Sequence, residues 1–279
     1  MDIAIKKKLQ AIACKVRMGV IEGTYNAKSG HPGGSLSISD LLTYLYFAKM
    51  HVDPKNPDME DRDRLVLSKG HTAPALYSVL AQRGFFPEDE LKSLRHIGAK
   101  LQGHPCINIE GVDMSSGSLG QGISVACGMA LAGKLKEASY KVYTILGDGE
   151  IQEGQVWEAS MFASHYKLDN LIAIVDNNGL QIDGKITDVM SPEPIPDKFK
   201  AFGWHVITMD AHDFDSIESA FNEAETIIGQ PVAIIQKSVK GKGVSFMENQ
   251  VGWHGKAPNK DEYDIAMAEL KSQLQALEG

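Results

Sequence analysis

The stretch VYTILGDGEIQEGQVWEASMFASHYKLDNLIAIVDNNGLQIDG, residues 142–184, decides the fold. Val142–Leu146 and Leu171–Val175 are short, unbroken apolar runs, the pattern of strands covered on both faces. Between them, Val156, Ala159, Ser160 and Ala163 fall at i, i+3, i+4 and i+7, one face of a helix whose small residues allow close packing on a sheet. Strand, helix, strand is a βαβ unit. Arg64–Ser68, Trp204–Met209 and Val232–Gln236 repeat the strand signature. The expectation is an α/β chain, a parallel sheet with helices on both faces, forming one domain over residues 1–279.

The region Leu119–Leu135 reads as a helix with Ile123, Ala126, Ala130 and Leu131 on one side. Gly122, Gly128 and Gly133 weaken it, which points to close packing or ligand approach. The proline-rich SPEPIPDK, residues 191–198, is expected to be an irregular surface segment inside the same domain. Met267, Leu270, Leu274 and Leu277 form a helical seam for the chain's own sheet or for a partner.

With 28 Lys+Arg against 36 Asp+Glu, the chain carries a formal charge of −8. That balance argues against nucleic acid and anionic membranes, because phosphate-rich partners would be repelled and no basic patch exists beyond Lys6–Lys8. Lys15 and Arg17 interrupt the N-terminal apolar run before it reaches signal-peptide length, and no window approaches a membrane span. Cys14, Cys106 and Cys127 lack CxxC spacing, so neither a disulfide framework nor a zinc site is expected, and a reduced cytoplasm fits.

Both strands of the opening stretch end in polar turns, Gly147-Asp148-Gly149 and Asp176-Asn177-Asn178. In parallel sheets ligands collect at the carboxyl ends of strands. Each turn alone is ordinary, since glycine, aspartate and asparagine favour turns anyway. Together, at the ends of consecutive buried strands, they offer hard oxygen donors from Asp148 and Asn178 that suit Mg²⁺ or Ca²⁺ rather than zinc. Magnesium fills its remaining positions with phosphate oxygens and water, so a magnesium-bridged diphosphate is the natural guest.

Of nine histidines, His51, His96, His165, His205 and His212 read as surface or satisfied core residues. His31, His71, His104 and His254 each sit beside a glycine, which lets a turn deliver the imidazole into a cleft. Near its unperturbed pKa of about 6.5, such an imidazole moves protons at cellular pH.

The GDG followed by Asn177-Asn178 resembles the thiamine diphosphate motif, and the neighbouring segments are similar to those of transketolases. SGHPGG at 29–34, SKGHTAPALY at 68–77, QGHP at 102–105, GSLGQGIS at 117–124, KGKG at 240–243 and WHG at 253–255 occur in that family's order, across nearly the whole chain. The resemblance implies a magnesium set of Asp148, Asn178 and the Leu180 carbonyl, with Ca²⁺ or Mn²⁺ as substitutes. It places Gly149, His71 and His254 at the diphosphate, and His254 also facing the reacting carbon. His31 and His104 would hold and shuttle protons among the donor sugar's hydroxyls, while Gly117 and Leu119 pack against the cofactor rings. Glu153 and Glu158 resemble acids that link two active sites across a subunit interface; as bare sequence they are also carboxylates favoured by a helix N-terminus.

The resemblance further implies an amino-terminal subunit of a split transketolase, lacking the pyrimidine-binding and C-terminal domains. A C-terminal partner would supply the activating glutamate, in an assembly of two copies of each chain, and the pair would transfer a two-carbon ketol unit from a ketose phosphate to an aldose. Alternative readings are a subunit of a deoxyxylulose-phosphate-synthase-like or 2-oxoacid dehydrogenase enzyme, or a non-catalytic thiamine-diphosphate-binding subunit.

Overall fold

Each of the five apolar runs is a strand. In the computed structural model, which describes residues 1–278, they are β1 (Arg64–Leu67), β2 (Val142–Gly147) and β3 (Leu171–Asn177), then, past a two-residue antiparallel pair β4 (Leu180–Gln181) and β5 (Gly184–Lys185), β6 (His205–Asp210) and β7 (Val232–Lys237). The five long strands make one sheet in the order β1-β2-β3-β7-β6, every neighbour parallel.

Alternation along each strand divides the core in two. Leu65, Leu67, Tyr143, Ile145, Ile172, Ile174 and Ile234 face a layer built from helices Ile3–Ala27, Ser39–Tyr44, Ala73–Arg83, Phe214–Glu225 and Lys260–Glu278. Val66, Val142, Leu146, Leu171, Ala173, Val175 and Ile235 face helices Gln121–Leu135 and Gly154–His165. Val156, Ala159, Ser160 and Ala163 are all buried, as their spacing predicts. β6 departs from the expected continuous run: it lies at the sheet edge, Thr208 and Asp210 are exposed, and Trp204 precedes the strand with its indole donating to the Ser160 carbonyl at 3.1 Å.

Two of the three glycines in helix Gln121–Leu135 mark close packing. A Cβ on Gly122 would lie 2.4 Å from Ser68 Oγ and one on Gly133 would lie 2.9 Å from the Tyr140 ring, whereas Gly128 faces open space. The segment 191–198 is irregular only to Pro194, for a helix begins at Ile195 with Pro196 in its first turn, where a missing N–H is no loss. The C-terminal seam turns inward: Met267 and Leu270 are buried in the chain's own core and Leu274 packs against it. No helix among the described residues is long and apolar enough to cross a membrane.

The register sets the site. Gly147 stands beside Asp176, and Asp176 beside Gln236, so the polar ends of β2, β3 and β7 form one row.

Candidate active site

A cleft of about 510 Å³ opens along that row, within the range of small-molecule sites. Its lining brings together His31, His71, His104, His254, Gly117, Leu119, Asp148, Gly149, Glu153, Asn178 and Leu180. Of the expected residues only Glu158 stays outside, exposed on helix Gly154–His165. Glu153 caps that helix by backbone position alone, without a side-chain cap hydrogen bond.

The floor is a buried ion pair that sequence reading did not single out. Asp176, at the end of β3, accepts from Lys69 Nζ at 2.5 Å, Ser37 Oγ at 2.7 Å, Gln236 Nε2 at 2.8 Å and Ser238 Oγ. Burial pushes its carboxyl up, but Lys69 and the hydroxyls outweigh burial and hold it far below the usual carboxylate range. Glu150 is a second buried acid, accepting from Ser68 Oγ at 2.5 Å and from the Gly120 and Gly147 amides, both at 2.9 Å. It ties the GSLGQG turn to the GDG turn, with a carboxyl pushed up by burial.

Asp148 lies above this floor, 2% exposed. Its oxygens accept from the Gly149 amide at 2.9 Å and the Gly179 amide at 2.6 Å. Burial and the neighbouring Asp176 charge raise its pKa to about 6, because nothing cationic touches it. Asn178 is oriented from both ends: Nδ2 donates to Asp176 at 3.2 Å and Oδ1 accepts from the Leu180 amide at 3.1 Å. A buried carboxylate from the turn after β2, with an amide oxygen and a carbonyl from the segment after β3, all lining one cleft, are the hard donors a small divalent cation takes, and such a cation would offset the charge of Asp148.

Above the oxygens stand the imidazoles. His31, His71 and His254 form a triangle with ring centroids 5.1, 5.5 and 5.3 Å apart. His104 lies apart, its ring seated on Gly117, where a Cβ would come within 3.1 Å. Lys240, buried, donates to the Leu180 carbonyl at 3.1 Å and meets His254 Nδ1 at 2.9 Å, so Nδ1 of His254 is the acceptor and its other nitrogen carries the proton. Lys240 was given no role from sequence, although it lies in the KGKG motif at 240–243.

The histidines correct one expectation. They are not poised near pH 6.5: burial, with Arg95 and His104 next, lowers His31 to about 4. Burial and Lys240 lower His254 to about 3, and burial and Lys69 take His71 well below the usual value. His104 is lowered too, by burial and Arg95. All four are therefore neutral at pH 7, each with one donor and one acceptor nitrogen. His31 Nδ1 is buried without a hydrogen-bond partner, an acceptor or donor left over for a guest.

Residues 8–275 match the family model described as transketolase, thiamine diphosphate binding domain. The chain belongs to the transketolase family. It is 46% identical over 266 residues to a 6-deoxy-6-sulfo-D-fructose transketolase subunit of Clostridium sp. (strain MSTE9), covering 95% of this chain and 97% of that one. It is 42% identical over 264 residues to one of the subunits of the apulose-4-phosphate transketolase of Phocaeicola vulgatus, covering 95% of this chain and 94% of the relative. The crystal structure of Campylobacter jejuni transketolase superposes with a TM-score of 0.90 at 32% identity, over 99% of this chain and 46% of that one. The cleft of this transketolase-family chain brings together the GDG and asparagine turns and four histidines, the outermost of which, His31 and His254, are more than two hundred residues apart in sequence.

Proposed function

We propose that this chain is the diphosphate-binding subunit of a two-chain transketolase, joining a C-terminal partner to move a two-carbon ketol unit from a ketose phosphate or related modified ketose to an aldose. One observation carries the reading: Asp148, Asn178 and the Leu180 carbonyl share a single cleft with a triangle of neutral imidazoles. Two relatives that the chain covers almost end to end are named as transketolase subunits, which supports the partner. So does exposed apolar surface, from Leu119 at the cleft and from Val125, Met161 and Phe162 on the two packed helices Gln121–Leu135 and Gly154–His165.

Asp148, Asn178 and Leu180 would hold Mg²⁺, and Gly149, His71, His254 and Lys240 would meet the diphosphate oxygens. Gly117 and Leu119 would pack on the rings. When bound, thiamine diphosphate supplies the electron sink for breaking and remaking a carbon–carbon bond next to a carbonyl. The protein's share is orientation and proton management. Neutral His31 and His104 accept hydrogen bonds from sugar hydroxyls and take up or return their protons, steps worth typically about 10² to 10⁴-fold. Glu153, at the cleft edge, and Glu158, outside it, are placed in this reading as acids facing a neighbouring protomer in an assembly of two copies of each chain. Three free cysteines fit a reducing cytoplasm.

Co-expression with the partner chain, followed by assay of two-carbon transfer from ordinary, branched and sulfonated ketose donors, tests the proposal. Transfer is expected only from the pair; turnover by the purified single chain sinks the split-enzyme reading.

A further inference from the structure

Lys240 reaches the cleft from the loop 238–243, and what steadies that loop lies behind the site. The Val239 amide donates to His212 Nε2 at 2.9 Å. His212 Nδ1 meets Asp40 Oδ2 at 2.8 Å, and the same oxygen receives Arg17 Nη2. Arg17 comes from helix Ile3–Ala27, Asp40 from helix Ser39–Tyr44 and His212 from the turn after β6. Arg17 and Asp40 are 7% and 5% exposed. A ring that gives Nδ1–H to a carboxylate and accepts an amide at Nε2 is fixed in one neutral tautomer. Burial pushes the Asp40 carboxyl up, but Arg17 and His212 more than offset it, so it stays charged.

The same arginine braces the far end of the loop. A Cβ on Gly243 would lie 2.8 Å from Arg17 Cδ, so the stem of the side chain packs directly on that backbone. On the cleft side, the Gly241 amide donates to the Gly33 carbonyl at 2.9 Å, two residues from His31. None of Arg17, Asp40 or His212 lines the cleft.

We propose that Arg17, Asp40 and His212 are a relay of positioning residues that sets the height of Lys240, and through it the His254 imidazole, so that cofactor affinity depends on one acceptor placed outside the site. The proposal rests on the reading of the cleft as a diphosphate site. The relay acts through the Val239 N–H: without an acceptor there, the loop loses the anchor next to Lys240 on its N-terminal side, while the Ser238 amide on the Asn177 carbonyl and the Gly241 amide on the Gly33 carbonyl still hold it.

Two variants at one position separate positioning from mere stability. In His212→Asn the amide nitrogen stands near Nδ1 and keeps Asp40, but nothing faces Val239. In His212→Gln the side-chain oxygen reaches toward Nε2 and keeps Val239. In the complex with the partner chain, the Kd for thiamine diphosphate at fixed magnesium is read by fluorescence quenching. Exchange of the loop 238–243 amides is read by mass spectrometry in the cofactor-free complex. The Asn variant is expected to raise Kd about tenfold and to speed loop exchange, the loss of one hydrogen bond to a partly buried amide, while Gln, which keeps the acceptor for Val239 but loses the Asp40 hydrogen bond that orients it, is expected to fall between, about threefold above wild type. Wild-type affinity and slow exchange in His212→Asn, or equal losses in both variants, overturn the relay. If the wild-type complex fails to bind the cofactor, the reading of the cleft falls instead, and loop exchange still decides the relay.

Discussion

Lys69 and Lys240 are equally buried, each 2% exposed, and both close on the same cleft. Lys69 faces a carboxylate, Asp176, and the Gly34 carbonyl at 3.1 Å. Lys240 faces only neutral groups, the Leu180 carbonyl and His254 Nδ1. Burial, with Lys69's charge behind it, lowers Lys240 to about 8. A buried cation in hydrogen-bond contact with an anion is a structural lock; one that feels Asp148 and Asp176 only through space is held in reserve for an anionic guest. The lower half of the site is therefore complete in itself, and the upper half is not.

The sharpest way to break this contrast is to remove each ammonium without its volume. Lys69→Met strands Asp176 as an uncompensated buried charge and is expected to cost about 3–5 kcal/mol in urea denaturation. Lys240→Met should leave the cofactor-free chain as stable as wild type or more so. Equal destabilisation by the two would abolish the distinction between lock and reserve.

Asp148 interacts with both lysines through space, and its replacement comes next in size. Outer partners of a metal ligand typically contribute about 10–100-fold to affinity, so loss of a ligand in Asp148→Ala is expected to weaken magnesium-dependent cofactor binding by at least about 100-fold in calorimetric titration. Retained binding would remove Asp148 from the metal set. In the same titration Lys240→Met should weaken the cofactor about tenfold, the scale of one charge-assisted hydrogen bond, with its fold intact.

The smallest effect is a slope. His31 and His254 have folded pKa values of about 4 and about 3, below the unfolded 6.5. The unfolded chain therefore binds more protons in between, so stability is fully present above pH 6.5 and falls as pH drops toward 4. Asp148, raised to about 6, contributes in the opposite sense over part of that window, but two imidazoles outweigh one carboxyl. Replacing His31 by Asn should flatten the acid limb of a plot of Tm against pH. An unchanged limb would mean that the upper half of the cleft is wetter than its burial indicates.

Much of the sheet was legible because strands covered on both faces must be apolar throughout, and Val142–Leu146 and Leu171–Val175 have no other use for that pattern. β6 misled at its boundaries because an edge strand follows a looser rule, and Pro196 misled because proline is as welcome in the first turn of a helix as in a loop. The site residues that could be named were those whose residue type is itself chemical: Asp148, Asn178 and the glycine-flanked histidines. Asp176 stood in the quoted stretch but looked like turn material, and Glu150 stood there without any local signal to single it out. Both owe their importance to burial, which no local spacing reveals.

The sequence by itself determined the parallel α/β architecture, the two oxygen-bearing turns and the four histidines, since each is written in short-range periodicity or in a local motif. Only the tertiary structure decided which charges are matched. Lys69 finds Asp176 across 107 residues, Lys240 meets Leu180 across 60, and His212 reaches back 172 to Asp40. The protonation state of the imidazoles followed from the same cause. Desolvation and the nearness of other cations are properties of the packed cleft, and they leave imidazoles that read as titrating near neutrality uncharged in the resting site.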